Sequence, residues 1–295
     1  MGESKRTRLA PCRCGSGKAA ATCCLSVNGW HKKPEIVNLR PNGESRKHES
    51  CYLNSTNACS SKISGEHLIS HGVLKVLAEK QVELSGLPWL KGQKKTLGFA
   101  AMTANCLCTV HNSALSPIDV QGARFFDAIQ RCAGSQSGPA NDILLSGHDI
   151  ERWLLRTLAA LAVSKNFAID GAVLDDKVAE RLRLPELLED PTSWRRPLGL
   201  YMMEGANYTI LQRETLQFAP LTDRDTREVI GILINIQGLQ LSLLALDHAI
   251  EGTGLDKAVY RPGTFTFRIG HLTHSIKLSW DDEFPHMNFT LTWKP

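Results

Sequence analysis

Hydrophobic positions change their spacing along this 295-residue chain. Glu228 to Ile236 and Leu239 to Leu246 are β-branched and leucine-rich runs of strand length, separated by Gly238. Thr264 to Ile269 alternates apolar and polar residues. Leu272 to Trp280 does the same, with Gly270-His271 as the tight turn between them. Phe289, Leu291 and Trp293 repeat that period once more. The carboxyl half is therefore expected to hold a mostly antiparallel sheet with one buried face. Upstream the period lengthens. Ile150, Trp153, Leu154, Leu158 and Leu161 share one face of a helix, and Ser146 with Asp149 reads as its capping box. That start puts His148 in an exposed first turn. A second helix is expected from Asp175 to about Leu188, stopped by Pro191. Ser116-Pro117-Ile118-Asp119 reads as a further helix start, with Ser as cap and Pro at the first position.

The polar stretches divide the chain. Residues 1–26 form a basic, cysteine-bearing arm, and 27–50 read as a turn-rich linker (Asn28-Gly29, Lys33-Pro34, Pro41-Asn42-Gly43). A cysteine- and histidine-rich unit occupies 51–132, a loop runs from Ala133 to Pro139, and 140–295 form an α+β region. Composition is that of a globular protein, 42% apolar and 22% charged. The net charge of +4 is unevenly spread, because residues 1–50 carry ten Lys and Arg against four Glu. A basic arm suits phosphate-bearing or acidic partners, and equally a solvated tail. No apolar stretch reaches the roughly 18 residues a membrane span needs, and the opening Met1-Gly2-Glu3-Ser4-Lys5-Arg6 carries no secretory signal. Eight of the nine cysteines lie before residue 110, where ligands rather than a disulfide framework would sit. The expected compartment is the reducing cytoplasm.

The first thiol cluster is Cys12, Cys14, Cys23 and Cys24, spaced C-x-C-x8-C-C. Cys12 and Cys14 can face one ion only if the backbone turns sharply, which Gly15 and Gly17 permit. Four thiolates close a tetrahedral shell with no place for water, so the site is structural zinc. The run Pro11-Cys12-Arg13-Cys14-Gly15-Ser16-Gly17-Lys18 and the Cys23-Cys24 pair resemble the SEC-C motif, the zinc-binding tail of the SecA translocation ATPase, which is also attached to many bacterial proteins. The resemblance implies a small zinc knuckle able to contact a protein partner. Ala19-Ala20-Ala21-Thr22 stands where that family carries an aromatic residue and lysines.

The second constellation combines Cys51 and Cys59 with Cys108 and His111, a C-x-x-H pair, as a second structural zinc site. Glu66-His67 lies between the halves. The same residues also read as buried thiols and a surface histidine. In order and chemistry this unit resembles the HNH endonucleases, whose treble-clef core sets an acid-histidine strand between two zinc-binding pairs. The resemblance implies that His67 is the general base. Asn112 would stand on the side of a catalytic Mg2+ or Mn2+, Glu66 would assist, and His71 is a further candidate. Asn112 replaces the final metal-binding histidine of that family, about forty residues separate His67 from Cys108, and the Ser116-Pro117 start leaves only a short turn for Cys108 and His111. Cys106 and Cys132 read as core, and His271 and His274 flank a turn without a ligand partner.

The expected protein is thus α+β: a small zinc knuckle, an HNH-like treble-clef unit, and carboxyl-terminal helices with a mostly antiparallel sheet. Its expected function is metal-dependent phosphodiester hydrolysis of nucleic acid, foremost DNA. A non-catalytic zinc module that binds nucleic acid or protein is the alternative. Phosphate-loop, dinucleotide-fold, nucleophile-elbow and H-E-x-x-H signatures do not occur in the sequence.

Overall fold

The computed structural model of the protein describes residues 5–41, 46–169, 172–173, 177–204, 208–211, 215–251 and 253–294. The amino-terminal two thirds of the fold contain β1 (Ile63–His67), α1 (His71–Leu77), β2 (Gln81–Ser85), β3 (Lys95–Gly98), β4 (Thr103–Cys108) and α2 (Thr109–Gly134). Next come β5 (Asp142–Ser146), α3 (Gly147–Val163), α4 (Lys177–Arg181) and α5 (Leu184–Glu189). The remainder is strand: β6 (Gly199–Met203), β7 (Thr209–Leu211), β8 (Thr215–Thr222), β9 (Val229–Ile236) and β10 (Leu239–Leu244). It closes with β11 (Ala258–Tyr260), β12 (Thr264–Ile269), β13 (Leu272–Ser279) and β14 (Asn288–Lys294). The class is α+β.

Both pairs of strand-length runs form hairpins. Ile236 faces Leu239 across the β9–β10 turn, and Ile269 faces Leu272 across the β12–β13 turn. They do not share one sheet. Seven strands in the order β11-β6-β10-β9-β8-β2-β3 make the larger sheet, antiparallel except where β8 runs parallel to β2. Five strands in the order β7-β14-β12-β13-β5 make the smaller one, whose single antiparallel pair is β12–β13. The mostly antiparallel arrangement expected is found in the larger sheet, and the smaller one is mixed. The smaller one recruits β5 from far back in the chain, and β14, the next strand after β13, passes over to the far side of β12 and so runs parallel to it. The β2–β3 hairpin, part of the long insert between His67 and Cys108, completes the larger sheet.

Helix α3 carries the expected apolar face, but every residue from Gly147 to Ala162 is buried. Its polar residues are therefore paired inside the protein. Arg152 pairs with Asp149, donates to Leu188 O (2.9 Å) and donates to Glu35 O (2.7 Å). Arg261 grips Glu151 with two bonds of 2.9 and 3.0 Å. The expected capping box does not form: Ser146 makes no cap, and Asp149 accepts the Glu35 amide instead. His148, expected to be exposed, is buried against Glu151 (3.2 Å) because α3 is enclosed on all sides. His274 is likewise buried, accepting the Asn141 amide at Nδ1 (2.9 Å).

The Ser116-Pro117 pair does not begin a helix. α2 runs unbroken from Thr109 to Gly134 with Pro117 inside it. A proline costs its helix the bond to the carbonyl four residues back. That carbonyl belongs to Ser113, on the exposed side, where water can satisfy it. Cys108 and His111 thus sit at the start of a long helix. The helix expected from Asp175 begins outside the described residues, and its described part is two short helices, α4 and α5, separated by Leu182 and Arg183. The stretch read as a linker is fastened to the body: Val37 and Leu39 are buried, and the Leu39 amide donates to Glu189 (2.8 Å).

Helices α2 and α3 pack through Gly122, where an added Cβ would lie 2.6 Å from the Trp153 ring. Gly122→Ala is expected to destabilise the fold by about 1–3 kcal/mol. The expected readout is a lower urea midpoint with an unchanged slope; a midpoint equal to that of the wild type would contradict this packing.

Candidate metal centres and the His67 edge

The amino-terminal knuckle closes because Gly15 and Gly17 take positive φ (71° and 73°), and the Gly15 amide bonds Cys12 O (2.9 Å). The four Sγ atoms lie within 4.8 Å of one another, with Cys14–Cys23 at 3.5 Å and Cys23–Cys24 at 3.6 Å. Zinc–sulfur bonds of about 2.3 Å in a tetrahedron need Sγ atoms roughly 3.8 Å apart, so the set fits zinc. Burial works to raise the Cys14 thiol, but hydrogen bonds from Ser16 and Cys12 outweigh it and bring it down to about 6. Cys12 and Cys24 are pushed up, by burial first. A metal is what would ionise the whole set. The knuckle is fixed to the body: Arg124 donates to Cys14 O (2.5 Å), Leu144 N–H to Arg13 O (3.2 Å), and Arg13 pairs with Asp142 (2.9 Å).

The second cluster brings together Cys51, Cys59, Cys108 and His111, all buried. His111 Nδ1 lies 3.3, 3.8 and 3.2 Å from the three sulfurs in that order. A tetrahedral zinc would set sulfur and nitrogen about 3.5 Å apart. The other ring nitrogen determines the tautomer. Thr56 Oγ1 gives its proton to Leu53 O (2.8 Å), so it accepts from His111 Nε2 (2.9 Å), and Leu39 O accepts from the same nitrogen (3.1 Å). The Nε2 proton is thereby fixed, and the Nδ1 lone pair faces the thiols. The Ser60 amide donates to Cys108 Sγ (3.4 Å), and the Cys108 amide to Cys51 Sγ (3.5 Å). Burial opposes ionisation of Cys108, but the His111 and Ser60 amides lower its thiol nonetheless. Burial dominates at Cys51 and Cys59 and raises both. The sequence offered no sign of Leu39 or Thr56 as supports.

Strand β1 leaves this centre paired with β4, its register shifting between Ser64 and Glu66. Successive side chains then part to opposite sides. Glu66 points inward, 2% exposed, and is ion-paired with Arg156 of α3. His67 is half-buried on the other side, its ring stacked on that of His71 with centroids 4.9 Å apart. His71 is exposed and opens α1, and Phe99 meets it edge-on. Asn112, in the first turn of α2, donates to Ser64 Oγ (3.1 Å), which donates to Leu107 O (2.8 Å). Asn112 thus ties the helix to the strand that carries His67. Arg156 and Asp119, 3.2 Å apart behind Glu66, were not foreseen; charged residues within an apolar helical run were their only trace in the sequence.

Among the described residues these two clusters are the only groups of three or more ligand side chains set to share an ion. No helix there is long and apolar enough to cross a membrane. Outer partners of a metal-bound histidine typically change affinity 10- to 100-fold. Thr56→Val should therefore weaken zinc at the second centre by roughly that factor in a chelator competition, leaving the first centre unchanged. Equal zinc retention at both centres would contradict the assigned tautomer.

Neither a protein family, nor a curated protein, nor a solved structure matches this chain.

Proposed function

We propose that this protein hydrolyses phosphodiester bonds in nucleic acid, foremost DNA, with His67 as general base. One arrangement supports the reading: the Cys51/Cys59 knuckle and the Cys108/His111 helix start share one centre, and the strand paired beside Cys108 runs from it to Glu66 and half-buried His67. Burial first, and then the charge of neighbouring His71, hold the His67 imidazole below its ordinary value. At neutral pH it is unprotonated and able to take a proton from water. The hydroxide formed attacks phosphorus, the bond to the leaving oxygen breaks, and that oxygen is protonated from solvent. Asn112 and Glu66 act as positioning residues, Asn112 by holding Ser64 and Glu66 by anchoring the strand through Arg156.

The thiolate-rich clusters suit zinc and not Mg2+ or Mn2+. The side chain shown against His67 is the His71 imidazole, so a Mg2+ or Mn2+ ion would be held chiefly through the substrate phosphate. When bound, such an ion neutralises charge developing on the phosphate oxygens. The basic arm, with Arg6, Arg8 and Lys18, would add phosphate affinity that weakens as salt rises.

The rival reading, an interaction module without catalysis, draws on a groove of about 1070 Å3 between the knuckle and Trp280, Asp281, Asp282 and Glu283. A protein partner of the knuckle would lie there. Plasmid nicking in Mn2+ or Mg2+ separates the two. His67→Ala should cut the rate by roughly 10²- to 10⁴-fold while both zincs remain. Zinc-loaded wild type that nicks nothing would favour the module.

The pH profile gives a second test. Protonation of His67 removes the base, so kcat/KM should fall on the acid side, below the ordinary imidazole value near 6.5. His71→Gln removes a cationic neighbour and should move that limb to higher pH, lowering activity near pH 6 more than near pH 8. A limb that does not move would contradict the coupling of the two rings.

A further inference from the structure

We infer that the groove between α1 and α2 takes one unpaired nucleotide of single-stranded DNA, beside the bond that His67 would cut. The inference rests on the hydrolytic reading above and names its substrate. The groove encloses about 440 Å3, lined by Ser70, His71, Val76, Asp119, Val120 and Arg124 among others. That volume is in the range of small-molecule sites, about 300–1000 Å3. It is continuous with the proposed site, because the His71 ring forming its mouth is the one stacked on His67.

Its chemistry is that of a nucleotide seen in negative. Val76, Ala123 and Val120 supply apolar walls, and Val120 is 53% exposed, a large apolar side chain with nothing on it. The walls approach closely at the floor, where a Cβ on Gly72 would lie 3.1 Å from Ala123 Cβ. A flat, aromatic occupant fits such a slot; a bulky globular one does not. Asp119 enters from the side of the buried cluster. Its Oδ1 is covered and makes no hydrogen bond, lying near Arg156 Nε (3.2 Å) without bonding geometry. Its side chain as a whole is 21% exposed. Burial pushes this carboxyl up to about 7, against the Ser70 hydroxyl, so near neutral pH it can both donate to and accept from a base edge. Arg124 places a cation on the same groove: one guanidinium nitrogen is given to Cys14 O, and the rest of the guanidinium is suited to a phosphate, with Asp127 of the lining already paired with Arg131. A carboxyl to read a base, apolar walls to sandwich it and a guanidinium for the backbone require the base to leave its pair. A duplex would have to give up stacking to enter, and a single strand would not.

Binding is measured without cleavage, on zinc-loaded full chain carrying His67→Ala, by anisotropy of a short labelled single-stranded DNA, its duplex and the RNA of the same sequence. The expected order is single-stranded DNA tightest, by about tenfold over the duplex. Val120→Trp, which fills the slot, should weaken the single strand by roughly 5- to 100-fold, the range a stacked base supplies. A Val120→Trp protein with both zincs that binds the single strand unchanged would overturn the proposal, as would equal affinity for duplex, or RNA bound in preference to DNA. Should Val120→Trp lose its zinc, Val120→Glu on the same exposed lip is read in the same way. Hydrolysis of bis(p-nitrophenyl) phosphate by the wild type, a substrate too small to need the groove, reports on His67 separately. Loss of that activity therefore sinks the hydrolytic reading, and unaltered binding sinks the groove.

Discussion

The imidazole of His111 is the point on which the arrangement turns. One nitrogen faces three thiols, and the other donates to Leu39 O and Thr56 Oγ1. A single side chain therefore joins the knuckle around Cys51 and Cys59, the start of α2, and the extended segment at residue 39. Remove the ring and the Leu39 carbonyl loses a buried donor while three thiols lose their fourth companion. Because β1 pairs with β4, which ends at Cys108, the position of His67 follows from that junction.

Behind the strand lies a second constraint, a set of charges buried inside the protein. Glu66 and Arg156 meet at one place, and Glu151, Arg261 and Asp282 at another. Removing one member of such a pair typically costs about 3–5 kcal/mol, because its partner is left charged and buried. The pairs therefore act as keys, specifying how α3 sits between β1 and the sheets. They also explain how neighbours in sequence, Glu66 and His67, come to do different work. One is sealed against a guanidinium, and the other opens to solvent beside His71.

Much of this was legible from local pattern. The thiol spacings identified both ligand sets because a metal site needs particular atoms at particular separations, whatever the fold around it. The β12–β13 hairpin was legible because period-two alternation and a turn are local properties, and β9 and β10 because a β-branched, leucine-rich run is one too. What was hidden depends on distant partners. The Ser116-Pro117 pair looks like a helix start, but its lost hydrogen bond falls on an exposed carbonyl, so α2 passes through. His148 looked exposed because an amphipathic pattern assumes one wet face, and α3 has none. The inward turn of Glu66 and the recruitment of Leu39 leave no periodic mark at all.

Hydrogen exchange read by mass spectrometry tests the role of the second centre most directly, comparing the wild type with His111→Ala. If that ring organises the His67 edge, residues 37–39 and 63–67 lose protection together in the variant, while β9 and β10 keep theirs. Loss confined to the segment between Cys51 and Cys59, with β1 still protected, would show that the strand bearing His67 does not depend on the centre, and would contradict the arrangement described here.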